Sequence, residues 1–379
     1  MRLSILVVGS ENPRIRDFFS QVARFADVSY LDTSPIGRIP DLDKLSQSWR
    51  WRKRGKNPRE AHLLLPRRWP EISTELTHWF CRRSFSLFRK ADAIVFTWPQ
   101  LCFLAEKFPD ITRVYYCKDP FELWHWGPEF IRPLETRLLQ NVDAVFAVSR
   151  LLTSDLAPRT PGKAFYLPNG FCDWFLPDRN LPRPADLPIG KPIIGSVGQI
   201  NKDYDWDYIS AIAAALPEVT LCFLGPLDEP DVQAERRVHR ILTTTPNILW
   251  LGWRKYQLLP AYMRHCDILM NFLKADDLGN RRSPLRLYDY LTTDRPIISS
   301  GVAEAYEHQP HVHVAPDASQ AITLIRQMLA GQHKPDMQSR RAYAQHHSWL
   351  IRAREFLDEL IPIIAAKSRG MAIPRSNSR

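Results

Sequence analysis

The sequence predicts an α/β protein built from two Rossmann-like domains. With 379 residues, the chain is too long for one ordinary hydrophobic core. Short apolar runs alternate with helical stretches in both halves, which is typical of parallel sheets covered by helices on both faces. A proline-rich stretch at 180–188 lies between the halves and is the best candidate for a linker.

The first half contains continuous, β-rich runs of the kind that form buried parallel strands. The predicted strands are 3–8, 28–31, 93–96, 113–116 and 144–148, and the clearest helix is 15–25. This alternation predicts a first domain over residues 1–180.

The second half repeats the alternation and predicts a second domain over residues 181–347. Its predicted strands are 192–197, 221–224, 248–251, 268–272, 296–300 and 312–314, and its predicted helices are 208–215, 256–264, 284–293 and 318–330. A last helix at 348–366 has apolar residues on several faces and can pack back across to the first domain. The remaining residues, 367–379, are a basic tail that we expect to be disordered.

Composition narrows the classes of function. No run approaches the roughly 18 apolar residues that a membrane helix needs. The six cysteines are scattered without a CxxC pair, which fits a reducing cytoplasm and argues against structural zinc. The histidines show no convincing ligand set either, so we expect no metal and no cofactor. A net charge of +10 points to an acidic partner, which is a nucleic acid, an anionic lipid or a phosphorylated substrate.

The clearest chemical signal is residues 283–300, SPLRLYDYLTTDRPIISS. Ser283 is a good N-cap and Pro284 suits the first helical position, so we expect a helix to begin here. Free amides at a helix start attract phosphate, and Arg281, Arg282 and Arg286 crowd that end, which favours a bound anion. The alternative is a surface helix on which Arg286 and Asp289 pair at i,i+3.

This segment resembles the donor-binding segment of GT-B glycosyltransferases, especially glycosyltransferase family 4, with its pattern sPlKlxEYLaxGkPVv. The resemblance implies two Rossmann-like domains facing a cleft. It also implies that Arg286 and the amides of Ser283 and Leu285 meet the donor diphosphate, and that Asp289 binds the ribose. From its charge at the same helix end, we expect Arg282 to bind the donor as well. There are two departures. Asp289 replaces the usual glutamate, and Arg281 stands where the family's EX7E motif has its first acid.

Further segments fit the same family in the right order. Residues 166–173, YLPNGFCD, resemble the turn before the interdomain linker, and residues 195–206, GSVGQINKDYDW, resemble the loop that opens the donor domain. In that loop Gly198 lets a substrate approach the backbone and Lys202 can reach a phosphate. Taken singly, Asn169-Gly170 is better explained as a plain tight turn and Lys202 as a solvated loop charge. Their joint order favours the family.

Asp119 ends the predicted strand in residues 113–120, RVYYCKDP, and ligands of open α/β sheets bind beyond such strand ends. A similar arrangement occurs in the inverting glucuronosyltransferase of xanthan-type synthesis, where the aspartate is the catalytic base. The resemblance implies that Asp119 deprotonates the acceptor hydroxyl in an inverting transfer. The alternative is that Asp119 caps the turn before Pro120. Glu122 and His125 are weaker candidates for the base.

Residues 49–90 hold twelve Arg or Lys and three Glu, with tryptophan and phenylalanine interleaved. A helix over 72–90 would have an apolar face beside basic residues, which suits an anionic membrane surface. The alternative is an ordinary Rossmann helix whose aromatic residues pack on the sheet. No recognised nucleic-acid module accompanies the charge, so we expect no nucleic acid partner.

Together these features predict a cytoplasmic glycosyltransferase, peripheral on the inner face of the membrane if residues 49–90 bind lipid. It would move a sugar from a nucleoside diphosphate sugar to a saccharide or lipid-linked saccharide acceptor in polysaccharide synthesis. The donor that we expect is a UDP-sugar. Two alternatives stay open. One is a nucleotide-sugar epimerase of the same fold, and the other is a non-catalytic protein that binds anionic lipid.

Overall fold

The chain forms two compact units in a computed structural model, which describes residues 2–10, 12–36, 52–53, 59–66, 88–124, 127–176, 181–229, 231–333 and 335–371. The first unit comprises Met1–Pro168 and Trp349–Arg379, and the second comprises Asn169–Ser348. Each unit contains one largely parallel sheet and the helices that alternate with its strands.

The first unit is organised around an eight-stranded sheet with the order β3-β4-β2-β1-β5-β6-β7-β8. All neighbouring strands are parallel except β3 and β4, which pair antiparallel. Its central strands are apolar and buried because such a sheet is covered on both faces. The strands are β1 Ser4–Val8, β2 Asp27–Ile36, β3 Arg52–Lys53, β4 Arg59–Pro66, β5 Ala93–Phe96, β6 Thr112–Cys117, β7 Ala144–Ala147 and β8 Lys163–Tyr166.

Polar side chains fix where two helices of this unit begin. The Asn12 side chain accepts the amide of Arg14, and Ser149 Oγ accepts the amide of Leu152 at 3.2 Å, so each satisfies an amide that has no partner within its helix. The helices are Pro13–Val22, Cys102–Lys107, Pro128–Gln140, Arg150–Leu156 and Trp349–Ser368.

The second unit contains a six-stranded sheet with the order β11-β10-β9-β12-β13-β14, in which every neighbouring pair is parallel. The strand β9 lies inside this sheet, so its carboxyl end is flanked by the ends of β10 and β12. The strands are β9 Ile193–Val197, β10 Thr220–Leu224, β11 Ile248–Gly252, β12 Ile268–Asn271, β13 Ile297–Ser299 and β14 His313–Val314.

Aspartate side chains cap most of the longer helices of the second unit. Asp205, Asp231, Asp317 and Asp336 each accept a backbone amide from the first turn that follows them. The helices are Trp206–Ala215, Val232–Thr244, Leu259–Arg264, Asp277–Asn280, Leu285–Leu291, Ala303–Glu307, Ala318–Leu329 and Met337–Gln345.

The proline-rich stretch expected to link the domains is packed into the second unit where it is described. Asp186 accepts hydrogen bonds from Arg254 at 2.6 Å and from the Tyr262 hydroxyl at 2.9 Å. The second unit already begins at Asn169, before this stretch. The chain therefore passes from the first unit to the second at the turn after Pro168.

The last helix, Trp349–Ser368, belongs to the first unit. Phe356 packs edge-on against Phe18 and Phe19, and its ring centroid lies 4.7 Å from that of Phe146. Lys367, which was expected to begin the basic tail, is still helical, and its ammonium pairs with Asp143 at 2.6 Å. Residues 372–379 of that tail lie outside the described residues.

Two general features concern the described residues only. None of their helices combines the length and the apolar character that crossing a membrane would require. The described cysteines are buried free thiols: Cys102, Cys117, Cys172, Cys222 and Cys266.

Candidate functional site

The helix predicted to hold phosphate begins one residue later than expected, at Leu285 instead of Pro284. It spans Leu285–Leu291, and its N-cap is Pro284, without a side-chain cap. The prediction that Ser283 caps it was wrong, because the Ser283 hydroxyl donates to Glu304 Oε1 at 2.9 Å and is not directed at the helix amides. Leu285 is the first helical residue and is half-buried.

Glu304, the partner of Ser283, is a buried carboxylate. It holds the residue that precedes Pro284 and the helix. It also accepts a hydrogen bond from the Tyr288 hydroxyl, and His308 Nε2 lies 3.9 Å from its Oε1. The other ring nitrogen of His308, Nδ1, lies 2.9 Å from the Tyr343 hydroxyl. These side chains are all polar but form one buried layer, so they fix the Ser283 peptide and the first turn of the helix.

The turn after Pro168 reaches the same peptide from its other side. The Asn169 Nδ2 group donates to the Ser283 carbonyl oxygen at 2.7 Å, and Asn169 is buried. Two motifs that are more than a hundred residues apart in the chain are therefore joined by one hydrogen bond.

Arg286 lies against the glycine that follows β9. A Cβ atom placed on Gly198 would be only 2.9 Å from Arg286 Nη2, and Gly198 has a φ of +131°, which favours glycine. The guanidinium stacks on the Tyr204 ring at 4.7 Å and donates to the Tyr204 hydroxyl. Its place is thus fixed by an aromatic face, a hydroxyl and a bare stretch of backbone.

The neighbouring cations have carboxylate partners. Arg282 pairs with Asp203 at 2.6 Å, and Lys202 Nζ lies 3.6 Å from the buried carboxylate of Glu229, which also accepts the Lys202 amide. Glu229 therefore partly offsets the charge of Lys202, which was predicted to reach a phosphate. The sequence pattern did not reveal Glu229 as a partner.

Asp289 is buried on the helix Leu285–Leu291. The hydroxyl of Tyr256 lies 3.4 and 3.5 Å from its two carboxylate oxygens. Tyr256 in turn packs edge-on against Trp174 at 4.7 Å and against Phe175 at 5.1 Å. One aromatic residue, Tyr256, therefore lies beside the expected ribose-binding carboxylate, and two further aromatic side chains hold Tyr256.

Arg281 stands where the family motif would have an acid, and it pairs with Asp277 at 3.0 Å in an i,i+4 ion pair. Asp277 is itself largely exposed, so this pair is a surface contact. The i,i+3 pair between Arg286 and Asp289, considered as the alternative for this helix, is not among the ion pairs of the described residues.

In the first unit, Asp119 follows β6 by two residues and is half-buried. Its carbonyl oxygen accepts the amide of Phe121 at 2.9 Å and the thiol of Cys117 at 3.3 Å, so its peptide is fixed at the strand end. Burial raises the pKa of Tyr116, and the nearby Asp119 carboxylate raises it further. Beside it, the Lys118 ammonium lies 3.9 Å from the Trp98 ring centroid.

The weaker candidates for a base fare differently. Glu122 pairs with Arg132 at 3.0 Å and with Arg159 at 2.7 Å. Burial by itself would raise the pKa of Glu122, but these two arginines outweigh it and lower the pKa, which makes Glu122 a poor proton acceptor. His125 lies outside the described residues.

Two further expectations concern the membrane segment and metals. Of residues 49–90, only 52–53, 59–66 and 88–90 are described, so nearly all of the expected helix 72–90 lies outside the described residues. Within the described part of the chain, no three His, Cys, Asp or Glu side chains are grouped so that they could hold a metal ion.

Comparison with known proteins found a sequence relative and several similar solved structures. No family model matches the sequence. The chain is 23% identical over 249 residues to the putative teichuronic acid biosynthesis glycosyltransferase TuaH of Bacillus subtilis. That match covers 61% of this chain and 61% of TuaH, so the chain spans less than two thirds of that relative.

Solved structures are similar over nearly the whole chain. Anabaena Alr3699/HepE in complex with UDP matches with a TM-score of 0.67 and 15% identity, covering 95% of this chain and 100% of that one. An alpha,alpha-trehalose-phosphate synthase (UDP-forming) from Burkholderia vietnamiensis matches with a TM-score of 0.71 and 15% identity, covering 97% and 98%. These likenesses confirm the predicted α/β fold of the GT-B type.

A buried carboxyl near the Asp119 strand generates a pH prediction. Burial raises the pKa of Glu135 from 4.5 to about 7, although the Tyr115 hydroxyl and Arg159 oppose the shift. Between these two values the folded chain keeps a proton that the unfolded chain has released, so the free energy of unfolding should fall as pH rises. We expect Glu135→Gln to flatten this dependence by as much as about 1.4 kcal/mol per pH unit.

Chemical denaturation of both proteins between about pH 5 and pH 8 measures this difference. Glu129→Gln, an exposed glutamate on the same helix, is the matched control and should keep the wild-type slope. An identical slope for wild type and Glu135→Gln would contradict the assignment.

Proposed function

We propose that this chain is a glycosyltransferase that transfers a sugar from a UDP-sugar to a saccharide acceptor with inversion at the anomeric carbon. The observation that carries the proposal is the guanidinium of Arg286, which Tyr204 holds against the bare backbone of Gly198. A planar cation fixed beside exposed backbone is suited to bind the oxygens of a diphosphate. The names of the similar proteins support the class of donor, since HepE structures contain UDP and UDP-glucose.

The other residues of the segment would complete the donor site. Arg282, which pairs with Asp203, would share its guanidinium with the diphosphate, and the amides of Ser283 and Leu285 would donate to phosphate oxygens. Lys202, half-exposed in its pair with Glu229, would approach from the loop after β9. Asp289 would accept hydrogen bonds from the ribose hydroxyls, with the Tyr256 hydroxyl beside its carboxylate.

Asp119 would act as the catalytic base. An inverting transfer needs one group that removes the proton of the acceptor hydroxyl as the hydroxyl oxygen attacks the anomeric carbon and the bond to the leaving UDP breaks. The Asp119 peptide is fixed at the end of β6, which is the edge of an α/β sheet where ligands bind. The arginines would stabilise the charge on the departing diphosphate, and we propose no metal for this step.

The acceptor and the location are part of the same proposal. The relative TuaH is named as a putative teichuronic acid biosynthesis glycosyltransferase, and we propose an acceptor in polysaccharide synthesis for this chain. The basic residues 49–90 would bring the enzyme to an anionic membrane that carries a lipid-linked saccharide. The buried free thiols fit a reducing compartment such as the cytoplasm.

Arg286→Ala should weaken UDP binding about tenfold to a hundredfold, because a charge-assisted hydrogen bond contributes about 1.5–3 kcal/mol. Calorimetric titration with UDP measures the effect. Arg237→Ala removes the same charge from an exposed pair with Asp207 in the same unit and should bind UDP as wild type does. Wild-type affinity in a folded Arg286→Ala variant would remove the diphosphate assignment.

Asp119→Asn should lower turnover at least about a hundredfold while UDP affinity stays near that of wild type, since a general base acts on the reacting proton only. Release of UDP from UDP-hexose and UDP-hexuronic acid donors, with and without saccharide acceptor, measures the rate. Asp110→Asn is the control, because Asp110 is exposed and precedes the opposite end of β6. Undiminished turnover in Asp119→Asn would exclude the base, and isomerised donor without acceptor would identify an epimerase.

A further inference from the structure

A compact group of two carboxyl groups and two guanidinium groups adjoins the turn that carries Asp119. Glu122 and Glu135 supply the two carboxylates, and Arg132 and Arg159 supply the two guanidinium groups. Arg159 is shared: its Nη2 lies 2.7 Å from Glu122 Oε1 and its Nη1 lies 3.2 Å from Glu135 Oε2. Arg132 Nε donates to the second oxygen of Glu122 at 3.0 Å. Both oxygens of Glu122 are thus engaged by arginines from two different segments.

This group ties the turn to the body of the first unit. Arg132 and Glu135 lie on the helix Pro128–Gln140, whereas Arg159 ends the short helical turn Ala157–Arg159. Glu135 is anchored in turn to the sheet, because the Tyr115 hydroxyl on β6 donates to its Oε1 at 2.8 Å. The carboxylate of Glu122 is therefore connected to rigid elements and only 17% exposed.

Asp119 lies between two fixed points. On one side its carbonyl oxygen accepts from the Cys117 thiol, which ties it to the end of β6. On the other side Glu122, three residues further on, is clamped by the two arginines. A short segment held at both ends has little backbone freedom, which limits how far the Asp119 residue can move relative to β6.

We propose that Glu122, held by Arg132 and Arg159, is a positioning residue for Asp119. This inference rests on the proposed function, in which Asp119 is the base. Glu122 touches neither donor nor acceptor in this role. Its ion pairs hold the turn so that the Asp119 carboxylate keeps its distance to the acceptor hydroxyl, and a displacement of about 1 Å can cost a hundredfold in rate.

Glu122→Gln tests the role, since it keeps the size of the side chain but removes the charge that both arginines bind. We expect kcat to fall about tenfold to a hundredfold, while KM for the UDP-sugar and the affinity for UDP stay within about twofold of wild type. Glu106→Gln is the matched control, because Glu106 pairs with Arg137 on the same helix but not with the turn, and its kcat should be unchanged. Arg132→Gln, at an exposed side chain, should lower kcat in the same direction if Glu122→Gln fails to fold.

The decisive readout is the double variant. If Glu122 acts through Asp119, Glu122→Gln lowers kcat in the wild-type background but causes no further loss in the Asp119→Asn background. Losses that multiply in the double variant, or unchanged kcat in folded Glu122→Gln and Arg132→Gln, would overturn the inference. Full turnover in Asp119→Asn itself would instead overturn the proposed base, so the two failures are distinguishable.

Discussion

Two glycines leave the space on which the proposed donor site of the second unit depends. A Cβ atom on Gly225 would lie 1.8 Å from the Gly198 carbonyl oxygen, and one on Gly198 would lie 2.9 Å from Arg286. The backbone segments that follow β9 and β10 therefore lie against each other with no side chain between them. The Arg286 guanidinium packs against this backbone at Gly198. The Tyr290 hydroxyl completes the contact by accepting the Val197 amide at 2.8 Å.

In both units, polar contacts also hold residues of the candidate sites in place. In the second unit, Asn169 and Glu304 hold the carbonyl and the hydroxyl of Ser283, which fixes the start of the segment that leads to Arg286. In the first unit, two arginines hold Glu122 beside the Asp119 turn. Networks of polar side chains that hydrogen-bond to one another favour one arrangement, and such preorganisation is what the proposed transfer would require.

The sequence was sufficient for the features that follow from local patterns. Continuous apolar runs predicted β1, β5 and β7, because strands covered on both faces must be apolar throughout. The strand β8 was missed because each of its residues is only half-buried, so it lacks a continuous apolar run. The helix Pro128–Gln140 was missed because it contains an internal proline, which is unusual in helices. The error at Ser283 has a long-range cause, since Glu304 lies 21 residues away and no local pattern links the two. The same holds for Tyr256 beside Asp289 and for Glu229 beside Lys202.

Calorimetric titration of UDP into the Gly198→Ala variant tests the placement of the diphosphate most directly. The added methyl group would meet Arg286 and displace its guanidinium, so we expect UDP affinity to fall about tenfold or more. Gly190→Ala is the matched control, because Gly190 also has a positive φ, of +89°, but a Cβ there would meet nothing within 4 Å. Its affinity for UDP should equal that of wild type. UDP binding of wild-type strength in a folded Gly198→Ala variant would contradict a diphosphate site at Arg286 and Gly198.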